Sequence, residues 1–183
     1  MMKSTMIGAA MIALAAGCVP TQMQGQAGPP LSPPAQTSIT IDGKALTVKY
    51  GAPSMRGRKM FGEGGVVSKD ATYPVWRAGA NAATALQTEA DLNIKGLAVP
   101  KGSYTVYALV NTTPWQLIIS KQTGQGGHTY DQAQDLGRVP MDMSKPAAPV
   151  ETHKITLSST GAKTGKLQLE FENFIASVPF TVK

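Results

Sequence analysis

Residues 37–50 read Thr-Ser-Ile-Thr-Ile-Asp-Gly-Lys-Ala-Leu-Thr-Val-Lys-Tyr, and their alternation decides the fold. Ile39 and Ile41 alternate with polar neighbours, and Leu46, Val48 and Tyr50 do the same. That is the period of a half-buried strand. Asp42-Gly43 between the two runs predicts a tight hairpin turn, because glycine accepts a positive φ without a steric penalty.

The same period recurs outward along the chain. Leu92 and Ile94 suggest a short strand, and residues 104–110 are apolar on both faces, as in a central strand. Trp115, Leu117 and Ile119 follow the break at Thr113-Pro114. Val139, Met141 and Met143 alternate, as do Ile155 and Leu157, then Leu167, Leu169 and Phe171. Phe174, Ala176, Val178, Phe180 and Val182 finish the chain. Gly, Pro and Asn cluster between these runs. No stretch sustains a period of 3.6; residues 130–136 are the best candidate for a helical turn. The expectation is an all-β, antiparallel β-sandwich of about nine or ten short strands over residues 37–183.

With 183 residues, 42% of them hydrophobic and 15% charged, the chain suits one packed domain. Its longest apolar run, residues 6–16, is too short to span ~30 Å of hydrocarbon as a helix. That run follows Lys3 and leads to Leu14-Ala15-Ala16-Gly17-Cys18. A charged start, a short apolar stretch and a small-residue exit make residues 1–17 an export signal. The exit resembles the bacterial lipoprotein box. That resemblance implies cleavage before Cys18, acylation of its thiol, and a bilayer as the chain's first partner. Val19, where Asp would signal inner-membrane retention, implies a cell-envelope protein on the outer membrane, facing the periplasm. The alternative is an ordinary secreted protein with an incidental Cys. Residues 18–36 then form a tether, with five Pro, four Gln and no charge among residues 19–36. The formal charge of +6 is spread without a Lys/Arg tract, so nucleic acid is not an expected partner.

The chemistry concentrates in residues 50–81. Tyr50-Gly51-Ala52-Pro53 is followed by Arg56-Gly57-Arg58-Lys59-Met60-Phe61-Gly62, then Trp76-Arg77-Ala78-Gly79-Ala80-Asn81 with Thr84 beyond. Guanidinium forks bind carboxylate or phosphate bidentately, and glycines let backbone N–H groups approach a ligand. One reading is a pocket for an anionic or sugar-like ligand, built from Arg58, Lys59, Trp76, Arg77 and Asn81. The other is structural: Arg58 or Arg77 pairs with a buried carboxylate or with carbonyls, and Trp76 fills the core.

This block resembles the domain of unknown function 2911 family of bacterial envelope proteins. Its members carry a tyrosine-proline step, a Gly-Arg-Lys/Arg-apolar-Phe-Gly turn and a Trp-Arg-x-Gly-Ala-Asn-x-x-Thr segment. Pro100-Lys101-Gly102-Ser103-Tyr104, Pro149-Val150-Glu151-Thr152 and Ser177-Val178-Pro179 extend the likeness over about residues 39–182. Ala52 stands where members often have Arg, and His153 where an aromatic is common. The resemblance implies a fold and a location, and no activity.

His153 shares parity with Ile155 and Leu157 and should face the core. His128 lies in a glycine loop, either solvated or paired with Asp131 or Asp135 as an acid/base element. Two His and no mature thiolate predict no metal site, and no cofactor is expected. Three functions remain: a non-catalytic binding or accessory module for such a ligand or a neighbouring envelope protein; an envelope hydrolase or transferase using His128 and Asp131; or a purely structural envelope domain.

Overall fold

The computed structural model describes residues 31–183. The expected export signal, Cys18 and residues 18–30 of the tether lie outside them. β1 (Pro34–Ile41) pairs antiparallel with β2 (Lys44–Gly51) about Asp42-Gly43. Both turn residues have positive φ, 51° and 71°, as a two-residue hairpin requires. Pairing runs back to Pro34, opposite Gly51, so residues 34–36 belong to the sandwich rather than to the tether. Proline is tolerated there because β1 is an edge strand and Pro34 is its first residue.

Among the described residues thirteen strands form, more than the nine or ten expected. They are completed by β3 (Val75–Trp76), β4 (Thr84–Thr88), β5 (Leu92–Ile94), β6 (Leu97–Val99), β7 (Gly102–Leu109), β8 (Gln116–Ser120), β9 (Asp135–Pro140), β10 (Asp142–Ser144), β11 (Val150–Gly161), β12 (Thr164–Glu172) and β13 (Phe174–Val182). One sheet has the order β1-β2-β4-β7-β8-β9, with β3 beside β7. The other has the order β11-β12-β13-β5-β6, with β10 beside β13. All pairings are antiparallel. The run at residues 139–143 is two strands, not one: the chain changes sheets at the buried Met141, whose N–H donates to Trp115 O at 2.8 Å. Residues 132–134 form a short 3-10 turn within the stretch expected to be helical.

The core lies between the sheets. Leu46, Val48, Leu86, Val106 and Leu117 meet Ile155, Leu169, Phe171, Val178 and Phe180. Edge strand β11 is closed by side chains of the facing sheet. Tyr50 Oη accepts from Ile155 N at 3.0 Å and Thr37 Oγ1 from Leu157 N at 3.4 Å.

β7 is indeed covered on both faces. On its outer face Tyr107 joins Val75 and Ile118 in a second, small cluster. The loop after β8 folds back over that cluster. Gln125 Nε2 donates to Thr105 Oγ1 and Tyr107 Oη at 3.0 and 2.7 Å, and Tyr107 Oη donates to Thr129 O at 2.9 Å. This fold-back carries His128 to the end of the sandwich where the β2–β4 connection lies.

Candidate functional site

Residues 52–83 connect β2 to β4 and contain most of the motif block. Their backbone is fixed by groups from the second sheet. Glu172 is buried with φ 53°; its Oε1 accepts from Met60 N at 3.1 Å and its Oε2 from Phe61 N at 3.3 Å. Glu151 Oε1 accepts from Arg56 N at 2.8 Å, so Arg56-Gly57 turns with both φ values positive. Phe61 then sits amid Trp76, Trp115, Phe171 and Phe174, with ring centroids 4.8 to 5.9 Å away. Ala78 also has positive φ, 51°, which is unfavourable for a residue with a Cβ. Its carbonyl accepts from Thr84 Oγ1 at 2.9 Å and faces His153 Nε2 at 2.9 Å.

This loop encloses a cleft of ≈ 150 Å³ whose walls include Arg58, Asp70, Trp76, Arg77, Val66 and Ser32. Arg58 donates from Nε to Met55 O at 3.0 Å and from Nη2 to Ser54 O at 2.9 Å, so its guanidinium is latched to its own turn. Arg77 is nearly buried. Its Nη2 pairs with Asp70 Oδ2 and its Nη1 donates to Asn81 O at 3.4 Å. Arg77 Nε is buried and has no acceptor. Gly127 packs against the Arg77 side chain, where a Cβ would overlap Asn81 O and the guanidinium. Burial alone would raise the Asp70 pKa. Arg77 and the Thr72 N–H outweigh it, together with His128, and hold the carboxyl below its usual value. Past Ser32 and Ala80 the surface continues into a second recess of ≈ 320 Å³, lined by Lys49, Tyr50 and Asn81 among others.

Arg58 and Arg77 share one cleft, and each also makes the contacts of the structural alternative: Arg77 pairs with the largely buried Asp70, and Arg58 with the carbonyls of Met55 and Ser54. Trp76 is only 3% exposed, so it supplies floor rather than a stacking face. Its pair of contacts to Phe61 and Phe171 belongs to the core, as the structural reading expected. Lys59 is not among the cleft walls; its Nζ donates to Glu63 O at 3.0 Å. Asn81 lines the adjoining recess and donates to Ser32 O at 3.1 Å. His153 is a core residue, 1% exposed, with Nε2 and Nδ1 facing Ala78 O and Glu170 O at 2.9 and 3.1 Å.

His128 is largely solvent-exposed, one of the two readings for it, and the alternative pairing with Asp131 or Asp135 does not form. His128 Nδ1 lies 3.2 Å from Asp70 Oδ1. Asp131 is occupied as a cap, accepting from Ala133 N at 2.9 Å. Asp135 Oδ2 accepts from Tyr130 Oη at 2.8 Å and from Arg138 Nε at 2.9 Å. The cause is the fold-back of the loop, which no local spacing encodes. Sequence reasoning also missed Asp70. Its signal was there: it is one of two acids in residues 50–81, seven residues before Arg77. No group of three or more His, Cys, Asp or Glu suited to a metal occurs among the described residues.

Among known families, residues 32–180 match one described as "Protein of unknown function (DUF2911)". No curated protein and no solved structure matches the chain.

Proposed function

Because the chain belongs to the DUF2911 family, which has no assigned function, we propose a role from the site itself. The protein is a lipid-anchored envelope lipoprotein, held through acylated Cys18 on the outer membrane, whose sandwich is a non-catalytic binding module. Its ligand is small and anionic or sugar-like, presented freely or by a neighbouring envelope protein. The observation that carries this reading is the cleft that Arg58 and Arg77 wall together over the Trp76 floor. At ≈ 150 Å³ the cleft is smaller than the ~300 Å³ of typical small-molecule sites. It suits one end group, such as a carboxylate, with the rest of the ligand lying in the recess beside Tyr50 and Asn81.

The test is calorimetric titration of the chain from residue 19 with glucuronate, glucose and acetate. Every strand and the whole described core lie within that chain. Glucuronate should bind more tightly than glucose, and Arg58→Gln should weaken it at least tenfold in a protein that a thermal melt shows is still cooperatively folded. Absence of binding by all three, or indifference to Arg58→Gln, overturns the reading. Intact mass of the membrane-extracted protein tests acylation separately.

A second reading, an envelope hydrolase or transferase, draws on the His128–Asp70 contact, with the ring 72% exposed at its solvent side. A substrate whose turnover survives His128→Ala removes that mechanism. If neither binding nor turnover is found, the domain is structural.

A further inference from the structure

Three large hydrophobic side chains stand exposed among the described residues: Leu31 (69%), Val66 (37%) and Tyr73 (42%). All three belong to one end of the sandwich. There β2 leaves for its long connection, β4 begins, and the chain from residues 1–30 enters β1. Hydrogen bonds link them through the motif block. Arg56 Nη2 donates to Leu31 O at 3.2 Å, Val66 N to Lys59 O at 3.0 Å, and Tyr73 N to Asp70 O at 3.0 Å. Around them lie four exposed cations, Arg56, Arg58, Lys59 and Lys69, against two exposed carboxylates, Glu63 and Glu151, the latter held by Arg56 N. The opposite end also carries lysines, such as Lys44 and Lys163, but none of the exposed large hydrophobic side chains.

Apolar tips set among cations are what a protein needs to sit in the headgroup layer of an anionic bilayer. The aliphatic groups enter the acyl boundary, a tyrosine places its ring below the interface and its hydroxyl at it, and Lys and Arg face phosphates. Leu31 is also where the described fold meets the segment that leads to Cys18. On the lipid-anchored reading, on which this inference rests for its direction, the anchor pulls this end toward the membrane.

We infer that this end is a membrane-docking face, in which Leu31, Val66 and Tyr73 insert at the surface of an anionic phospholipid bilayer and Arg56, Lys59 and Lys69 pair with its headgroups. Docking supplements the acyl anchor and sets the body's orientation, with the Arg58–Arg77 cleft held at the bilayer surface.

The experiment is co-sedimentation of the chain from residue 19, which lacks both Cys18 and the apolar run at residues 6–16. The vesicles are pure phosphatidylcholine or a 3:1 mixture with phosphatidylglycerol. Binding should appear on the mixed vesicles and fall at least tenfold in Val66→Asp/Tyr73→Asp. Lys59→Gln and Lys69→Gln should each lower it by roughly fivefold. Lys44→Gln and Lys163→Gln at the far end should leave it unchanged, and thermal melts confirm that every variant is folded. No binding to the mixed vesicles overturns the inference, as does equal weakening by the far-end variants. So does capture of this face by a protein partner while vesicles are ignored. The anchor is read independently: an acylated Cys18 on a body that ignores vesicles refutes docking alone, and a docking body with an unacylated Cys18 refutes the anchor alone.

Discussion

His153 should make this fold acid-sensitive well above the range in which carboxylates titrate. Its ring is 1% exposed and packs against Tyr50, Trp76 and Phe171 at 5.4, 4.9 and 5.5 Å between centroids. Burial pushes its pKa down from 6.5 to about 4, and the two facing carbonyls, Glu170 O and Ala78 O, recover only part of that. The folded state therefore binds the proton less readily than the unfolded chain does. Full stability is present above about pH 7 and is lost as pH falls from about 6.5 toward 4. A difference of about 2.5 pKa units corresponds to about 3 kcal/mol. Against a typical stability of 5–15 kcal/mol this is a large share. The perturbation is His153→Gln, which keeps a donor for Ala78 O and removes the titration. Urea unfolding at intervals from pH 7.5 to 4.5 should show the wild type losing about 2–3 kcal/mol and the variant staying nearly flat. Asp70, whose carboxyl pKa is lowered, adds its own loss only at more acid pH, so it does not obscure this window. Parallel slopes for the two proteins would refute the reasoning.

Two further perturbations address the loop that forms the cleft. Arg77→Met or Asp70→Asn alone should destabilise by about 3 kcal/mol in chemical denaturation, because each removes the guanidinium or carboxylate partner of a largely buried charge, and Arg77→Met leaves Asp70 with the exposed His128 as its one neighbouring imidazole. The double variant should recover much of that loss, and strictly additive losses would contradict a coupled pair. Glu172→Gln should cost about 1–3 kcal/mol, since one of the two amides at Met60 and Phe61 loses its acceptor. Hydrogen exchange should then quicken at those two amides before it does in β12.

The parts of the fold legible in the sequence are those where burial coincides with hydrophobicity. The Asp42-Gly43 hairpin and the doubly covered β7 are of this kind. β4 is not, because its core-facing residues are Thr84, Leu86 and Thr88. The two threonines satisfy their hydroxyls locally, on Ala78 O and Ala90 O, so a polar residue is buried without any hydrophobic mark. The split between β9 and β10 was hidden for a different reason. Val139 and Met141 are buried and Met143 packs against the core, so the alternation continues unbroken while the chain changes sheets. In the site, Arg58 and Arg77 were legible as cations beside glycines. The Asp70–His128 contact spans 58 residues and depends on the fold-back anchored by Tyr107, which leaves no local trace.

Why the motif block is so densely specified follows from where its hydrogen bonds go. The connection between β2 and β4 belongs to one sheet, yet its anchors come from the other. Ser54 Oγ meets Thr152 Oγ1 at 2.8 Å, Met55 N donates to Glu151 O at 2.8 Å, and Pro53 O accepts from His153 N at 2.8 Å. Glu172 and His153 complete the set from β12 and β11. Burying the Glu172 carboxylate costs desolvation that an apolar residue would avoid, so its retention suits a geometric role better than a purely stabilising one. What it fixes is the backbone at Met60 and Phe61, immediately after Arg58 and Lys59. A wall set by inter-sheet hydrogen bonds does not have to be ordered when a ligand arrives, which lowers the entropic cost of binding. On this argument a Glu172→Gln protein that still folds should bind more weakly than wild type even though no Glu172 atom lines the cleft. Unchanged affinity alongside a measurable loss of stability would show that the second sheet supports the loop without shaping the site.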